Sequence, residues 1–171
     1  MKTDRNQTFR NLLALIVAAG LVVLSASPAI SGDYAALDDV NGVKAVFDVS
    51  SGSAETINVV FWAVKNVYED QSVRSLAKPP KVAVVFHGPA VKLISTDRKD
   101  FNDTEKEALA RFADTIRQMK KAGVTFEVCM YAAKMLGVDP DTILPEVDQV
   151  GNGFISIVGY QAKGYSLVPI N

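Results

Sequence analysis

Short apolar runs alternate with longer amphipathic stretches along this chain. Five runs have the length and composition of β-strands, and they cover residues 43–49, 82–86, 124–129, 146–150 and 165–170. The run 82–86 is apolar at every position, which is typical of a strand covered on both faces. Strands that alternate with helices form right-handed β-α-β units. The pattern therefore predicts an α/β fold, a three-layer α/β/α domain with a mostly parallel sheet.

The stretches between these runs have helical spacing. Ser53 is the expected N-cap of a helix with apolar positions at Ile57, Val60, Phe61, Val64, Val67 and Tyr68. A second helix is expected to begin at a capping box of Thr104 and Glu107, and it carries a stripe of Leu109, Phe112, Ile116 and Met119. A short helix is predicted at 130–136. The last helix opens at Gly153 and carries Phe154, Ile157, Val158 and Gln161.

The N-terminal segment has a different composition. An apolar run at residues 12–24 follows three basic residues, Lys2, Arg5 and Arg10, and small residues come after it. This is the layout of a secretory signal peptide. It predicts three segments: a signal peptide at 1–29, an N-terminal extension at 30–42 and a folded domain at 43–171.

The length of the apolar run favours cleavage over anchoring. As a helix it spans about 20 Å, less than the hydrocarbon core of a bilayer. We therefore expect a periplasmic protein that has no membrane association after cleavage. A membrane anchor that is not cleaved is the alternative, if the run continues through Ile30.

Composition and charge narrow the function. The 171 residues are 49% hydrophobic and 22% charged, which suits one globular domain. The formal net charge is −1, and removal of residues 1–29, with three basic and one acidic side chain, makes it −3. Lysines and arginines are scattered, so nucleic acid is not an expected partner. The single cysteine excludes an intrachain disulfide.

The only cysteine and the only histidine are both predicted at the carboxyl edge of the sheet. Cys129 ends the third strand and His87 follows the second. Ligands of parallel sheets bind at this edge, and N–H groups at a helix start favour a thiolate. Cys129 and His87 are therefore the candidate catalytic residues. The candidate ligand-binding residues come from loops at the same edge: Ser51, Gly52, Gly88, Asn152 and Gly153.

Each candidate also has an ordinary structural explanation. A free cysteine is often buried as a small hydrophobic residue. His87 can hydrogen-bond its own turn, and Ser51 can act as a helix cap. One cysteine and one histidine give little support for a metal site, so no metal and no cofactor are expected. Flavin or nucleotide binding rests on fold analogy alone.

Three segments taken together carry a family resemblance. They are Val-Val-Phe-His-Gly-Pro at 84–89, Lys-Ala-Gly-Val-Thr-Phe-Glu-Val-Cys at 121–129 and Gln-Ala-Lys-Gly-Tyr at 161–165. In this order and spacing, the chain from 43 to 170 resembles the DsrE-like (DsrE/DsrF) family of small sulfur-metabolism proteins. The resemblance implies a parallel five-stranded sheet and assembly into trimers or hexamers. For members that act in sulfur oxidation, it implies a cysteine that carries sulfur as a persulfide, and Cys129 matches that cysteine.

Two functions remain open from the sequence. The first is a periplasmic sulfur carrier or relay protein, similar to a sulfurtransferase, that holds a persulfide on Cys129 and works with a sulfur donor or acceptor protein. The second is a non-enzymatic oligomeric module that binds a small ligand or a partner and has a structural cysteine. Accessibility of the native thiol separates them, because a packed cysteine reacts only after unfolding.

Overall fold

The computed structural model describes residues 34–171. The predicted signal peptide and the first residues of the predicted extension lie outside the described residues. The described part has five strands: β1 (Lys44–Val49), β2 (Lys81–Phe86), β3 (Thr125–Cys129), β4 (Asp148–Val150) and β5 (Ser166–Ile170). Its α-helices are α1 (Ile57–Glu69), α2 (Gln71–Arg74), α3 (Asp103–Lys121), α4 (Met130–Met135) and α5 (Gly153–Ala162). Short 3-10 turns cover Ala35–Leu37, Gly88–Lys92 and Pro140–Thr142.

The strands form one parallel sheet in the order β4-β3-β2-β1-β5. Helices lie on both faces of it, so the predicted three-layer α/β fold with a parallel five-stranded sheet is confirmed. The short strand predicted at 146–150 is present as Asp148–Val150, and the other four strands lie within one residue of their predicted ends.

The two faces of the sheet are covered unequally. The larger core lies on one face, under α1 and α3, and contains Phe61, Phe86, Phe112 and Phe126. The opposite face, which we call the α5 face, has a small core of Val46, Ala83, Val85 and Ile157. Only Ile157 and Gly153 of α5 are buried. The apolar positions predicted for this helix therefore extend well beyond the side that packs on the sheet.

One predicted helix start is displaced and a second was wrong. Regular helix α1 begins at Ile57, one turn after Ser53, but Ser53 still caps the preceding turn: its Oγ accepts from Thr56 N and its carbonyl from Ile57 N, both at 3.3 Å. Helix α3 begins at Asp103 and its capping box is not the predicted Thr104 and Glu107. Asn102 Oδ1 accepts from Glu105 N at 3.0 Å, and Glu105 Oε2 accepts from Asn102 N at 2.8 Å.

This capping box gives a stability prediction. An Asn102→Ala variant is expected to lose about 1 kcal/mol of unfolding free energy, since the side chain satisfies a backbone N–H at the start of α3. A Thr104→Ala variant is the matched control and should change stability by less than about 0.5 kcal/mol. Urea unfolding followed by circular dichroism measures both. Equal losses in the two variants would contradict the assignment of the cap.

Candidate functional site

Reactive and acidic side chains from β1 and β3, the strands on either side of β2, share the α5 face. Neighbouring residues of a strand point to opposite faces, so Asp48 of β1 lies on the same face as the buried Val46. By the same alternation, Glu127 and Cys129 of β3 share the face of Val85, which pairs with Glu127 in the parallel register. The site at the carboxyl edge therefore opens toward α5.

Cys129 is the last residue of β3 and the N-cap position of α4. It is a free cysteine and is 5% exposed. The first residue of α5, Gly153, covers it: a Cβ at Gly153 would lie 3.0 Å from Cys129 Cβ and 3.1 Å from Val85 Cγ1. A larger residue at 153 would press on Cys129 Cβ and on Val85, so glycine lets the start of α5 lie directly against these two residues.

His87 follows β2 in extended conformation and is fixed by two contacts. Its Nε2 shares a hydrogen bond with Asp48 Oδ1, and its ring meets the Phe154 ring edge at a centroid distance of 5.2 Å. The His87 side chain therefore hydrogen-bonds to a residue of strand β1, and not within its own turn as one interpretation of the sequence expected.

The register brings His87 beside Cys129. Phe86, the last residue of β2, is paired with Val128, so His87 lies one residue beyond β2 and Cys129 is the last residue of β3. Neighbouring strands are about 4.8 Å apart, so the two residues are neighbours at the sheet edge. The sequence placed both at this edge, and the structure adds that they follow from adjacent strands, His87 just after β2 and Cys129 at the end of β3.

The candidate ligand-binding residues fall into two groups. Asn152 and Gly153 lie at the start of α5, above Cys129, where Asn152 Oδ1 accepts from Phe154 N at 3.0 Å. The second group, Ser51, Gly52 and Gly88, follows the ends of β1 and β2. Ser51 N donates to Ile170 O at 3.3 Å, and a Cβ on Gly52 would lie 2.7 Å from Pro89 Cβ. Gly88 has a φ of +51°, which favours glycine. Ligand binding by either group stays a prediction.

Asp48 is the site residue that the sequence analysis missed. It is an acidic residue in the interior of a strand whose other interior residues are buried and apolar. A carboxylate in such a strand is seldom placed without a partner. The acidic residue in the run 43–49 was visible in the sequence, but its partner was not, because His87 is 39 positions away.

Glu127 also has a specific partner on the α5 face. Tyr160 of α5 donates its hydroxyl to Glu127 Oε1 at 2.7 Å, while Glu127 Oε2 is buried without a hydrogen-bond partner among the described residues. Burial, and then the hydrogen bond to Glu127, raise the pKa of Tyr160 well above its usual value. Tyr160 therefore remains a hydrogen-bond donor throughout the physiological pH range.

Removal of this hydroxyl is expected to destabilise the domain. A Tyr160→Phe variant leaves Glu127 without its donor, and an unsatisfied buried acceptor costs about 1–3 kcal/mol. Tyr131→Phe is the control, because the Tyr131 side chain is largely exposed. Thermal and urea unfolding at neutral pH measure the difference. A Tyr160→Phe variant as stable as wild type would show that Glu127 does not depend on this bond.

An exposed apolar surface adjoins the site. Tyr131 N donates to Gly151 O at 3.1 Å, which holds the start of α4 beside the start of α5. Five large apolar side chains of these two helices have exposed fractions of 60–72%. We call them the apolar patch: Tyr131, Met135, Phe154, Ile155 and Val158. Large exposed apolar side chains that cluster on a surface are typical of interaction sites.

Residues 34–171 contain neither a metal-binding cluster nor a membrane-spanning helix. In that part of the chain, no group of three or more His, Cys, Asp or Glu side chains is arranged to hold a metal ion. No helix within the same range combines the length and apolar character needed to cross a bilayer.

The fold has counterparts among solved structures. A protein of unknown function from Methanobacterium thermoautotrophicum, MTH1491, is 20% identical with a TM-score of 0.58, over 74% of this chain and 98% of that one. A conserved protein of unknown function from Bacteroides thetaiotaomicron, BT1422, is 17% identical with a TM-score of 0.54, over 74% of this chain and 94% of that one. These similarities define a small α/β protein of one shared fold.

Sequence comparison gives the family. The profile of the DsrE/DsrF-like family matches residues 44–170, so the chain belongs to this family, which is linked to sulfur relay. An uncharacterized protein of Aquifex aeolicus is 23% identical over 128 residues, which are 74% of this chain. The match spans only 56% of the length of that relative.

Proposed function

We propose that this protein is a sulfur carrier that holds sulfur as a persulfide on Cys129 and passes it to a partner protein. The observation that carries the proposal is the position of the only thiol in a DsrE/DsrF-like chain, at a strand end beside His87 and under the start of a helix. The activity is that of a sulfurtransferase-like carrier, and it uses no metal or cofactor.

The proposed chemistry conserves atoms and electrons. His87 accepts the proton of Cys129, and the thiolate attacks the outer sulfur of a donor persulfide, R–S–SH. A new S–S bond forms on Cys129 while the S–S bond of the donor breaks. The leaving thiolate takes the proton from His87 and departs as R–SH, so that nothing is oxidised or reduced overall.

The chain has no second cysteine, so it cannot resolve its own persulfide as a disulfide. An acceptor thiol on a partner must therefore take the sulfur. Because Cys129 is 5% exposed, loading requires the first turn of α5 to move slightly away from the thiol. Because residue 153 is glycine, only the backbone of α5 contacts the Cys129 side chain there, and a small shift of the helix start can open this contact.

Polysulfide labelling tests the proposal. Native protein incubated with polysulfide should gain about 32 Da per sulfur, the atomic mass of sulfur, and reductant should remove the added mass. A Cys129→Ser variant is the control and should gain nothing. If native Cys129 resists both polysulfide and iodoacetamide until denaturant is added, the carrier function is wrong.

The low exposure of Cys129 favours a second candidate if that result is obtained. The protein would then be a non-enzymatic oligomeric module with a structural cysteine. Its carboxyl edge, with Ser51, Gly52 and Gly88, would hold a small ligand or a partner peptide.

We also propose that the protein is a homo-oligomer, a trimer or hexamer, that uses the apolar patch as its interface. Phe154, Ile155 and Val158 lie on α5, which covers the smaller core, and a second copy would bury the exposed side chains of the patch. Such an interface would lie close to His87, since Phe154 contacts the His87 ring.

A periplasmic location completes the proposal and rests on the signal-like N-terminal sequence. The intact mass of protein recovered from the cell envelope should correspond to a chain that begins near Ile30. A full-length species in the membrane fraction would contradict cleavage and support an anchor.

A further inference from the structure

We propose that Asp48 is a positioning residue that fixes the tautomer of His87, so that Nδ1 is the ring atom that accepts the proton of Cys129. The inference rests on the proposed sulfur-carrier function for its chemical purpose. The placement of Asp48 itself stands on geometry alone, because its hydrogen bond to His87 links β1 to the residue that follows β2.

The pair is held in place by the sheet. Asp48 is paired with Val85 in the parallel register of β1 and β2, and His87 lies two residues beyond Val85 on the same face. Both side chains are largely removed from water, with exposed fractions of 16% for His87 and 23% for Asp48. Phe154 contacts the His87 ring from α5, so strand β1 and helix α5 together limit the orientation of the ring.

The chemistry of the two groups determines the tautomer. An ionised carboxylate only accepts hydrogen bonds, so a neutral imidazole bonded to it through Nε2 must carry its hydrogen there. Nδ1 is then the free acceptor. When Nδ1 takes the thiol proton, both ring nitrogens carry hydrogen, and the carboxylate stabilises the cation through the bond that it already makes.

An amide at position 48 should disturb this arrangement. In an Asp48→Asn variant the side-chain NH₂ can donate to Nε2, which favours hydrogen on Nδ1 and removes the acceptor. A positioned general base contributes about 10²–10⁴-fold to a reaction, so we expect the alkylation and persulfide-loading rates of Cys129 to fall by about 100-fold. Asp48→Glu keeps the carboxylate and should recover much of the rate.

The experiment uses two features of the composition. His87 is the only histidine, so long-range ¹H–¹⁵N spectra of untagged protein labelled with ¹⁵N-histidine report one ring. Cys129 is the only thiol, so iodoacetamide consumption reports one site. Asp100→Asn is the matched control, since Asp100 is exposed and pairs with Lys92. Circular dichroism and urea unfolding verify that each variant is folded before rates are compared.

The expected result is Nε2–H in the wild type and in Asp48→Glu, a changed tautomer in Asp48→Asn, and rates that follow the tautomer. Wild-type protein with Nδ1–H, or Asp48→Asn with an unchanged tautomer, would overturn the positioning role. A changed tautomer with an unchanged thiol rate would also overturn it, because the ring would then not serve Cys129. Failure of wild-type protein to take up sulfur would refute the carrier function, while the ring spectra would still decide the role of Asp48.

Discussion

A Phe112→Ala variant is expected to lose about 3–5 kcal/mol of unfolding free energy, because it leaves a cavity at the centre of the larger core. Phe112 is fully buried, and its ring meets Phe61 edge to face at a centroid distance of 4.6 Å and Phe86 at 6.2 Å. Domains of this size have about 5–15 kcal/mol of stability in total. The loss should therefore be visible as a much lower urea midpoint and as reduced yield of folded protein.

Phe154→Ala is the matched control for this prediction. It removes the same atoms from a side chain that is 60% exposed, and its effect on monomer stability should be below about 1 kcal/mol. Both variants are measured by urea unfolding with circular dichroism, at concentrations low enough to keep the protein monomeric. Equal losses in the two variants would show that the three-ring cluster is not the main source of core stability.

The positions of the strands could be predicted because burial on both faces is visible in local composition. The run at 82–86 is apolar throughout, and in the structure it is the central strand β2, with its interior residues fully enclosed. The turns were also predictable where the backbone demands glycine: Gly123 and Gly137 have φ values of +93° and +68°.

Helix starts were less predictable because several residues can cap the same turn. At α3, both Asn102 with Glu105 and Thr104 with Glu107 satisfy the spacing of a capping box. The backbone decides between them. Asn102 has an extended conformation, with φ −72° and ψ 172°, whereas Thr104 already lies inside the helix.

Only the edge of the sheet at which the site lies could be predicted from the sequence, because the parallel topology alone determines it. The carboxyl ends of parallel strands meet at one edge, which placed Cys129 and His87 together. The order of strands was not determined by the sequence pattern, so the contact between Asp48 on β1 and His87 after β2 could not be foreseen. The bond of Tyr160 to Glu127 spans 33 positions and was hidden for the same reason.

The distribution of apolar residues on α5 was the clearest departure from expectation. The sequence analysis placed Phe154, Ile157 and Val158 on a helix that packs against the sheet, yet Ile157 alone of these three is buried. A helix that only covered a sheet would need one apolar stripe. The outer side of α5 carries large apolar residues as well, which is the composition of a helix covered on two sides.

A charge on that outer side is therefore expected to dissociate the proposed oligomer. In Val158→Lys, an ammonium group would be placed in the interface without a partner, and an uncompensated buried charge costs about 3–5 kcal/mol. This corresponds to a dissociation constant raised by about two to four orders of magnitude for each buried copy of the charge. Sedimentation velocity at micromolar concentration should then show an oligomer for wild type and a monomer for the variant, with unchanged far-UV circular dichroism.

Val59→Lys is the control that decides which helix forms the interface. Val59 lies on α1, on the other side of the sheet, and is 72% exposed beside the exposed Trp62. The new charge there would remain in water if the apolar patch is the interface, so this variant should sediment like wild type. Dissociation by Val59→Lys with no effect of Val158→Lys would move the interface to α1. A wild-type monomer would contradict the oligomer itself, and the exposed side chains of α5 would then have to be covered by the partner that exchanges sulfur with Cys129.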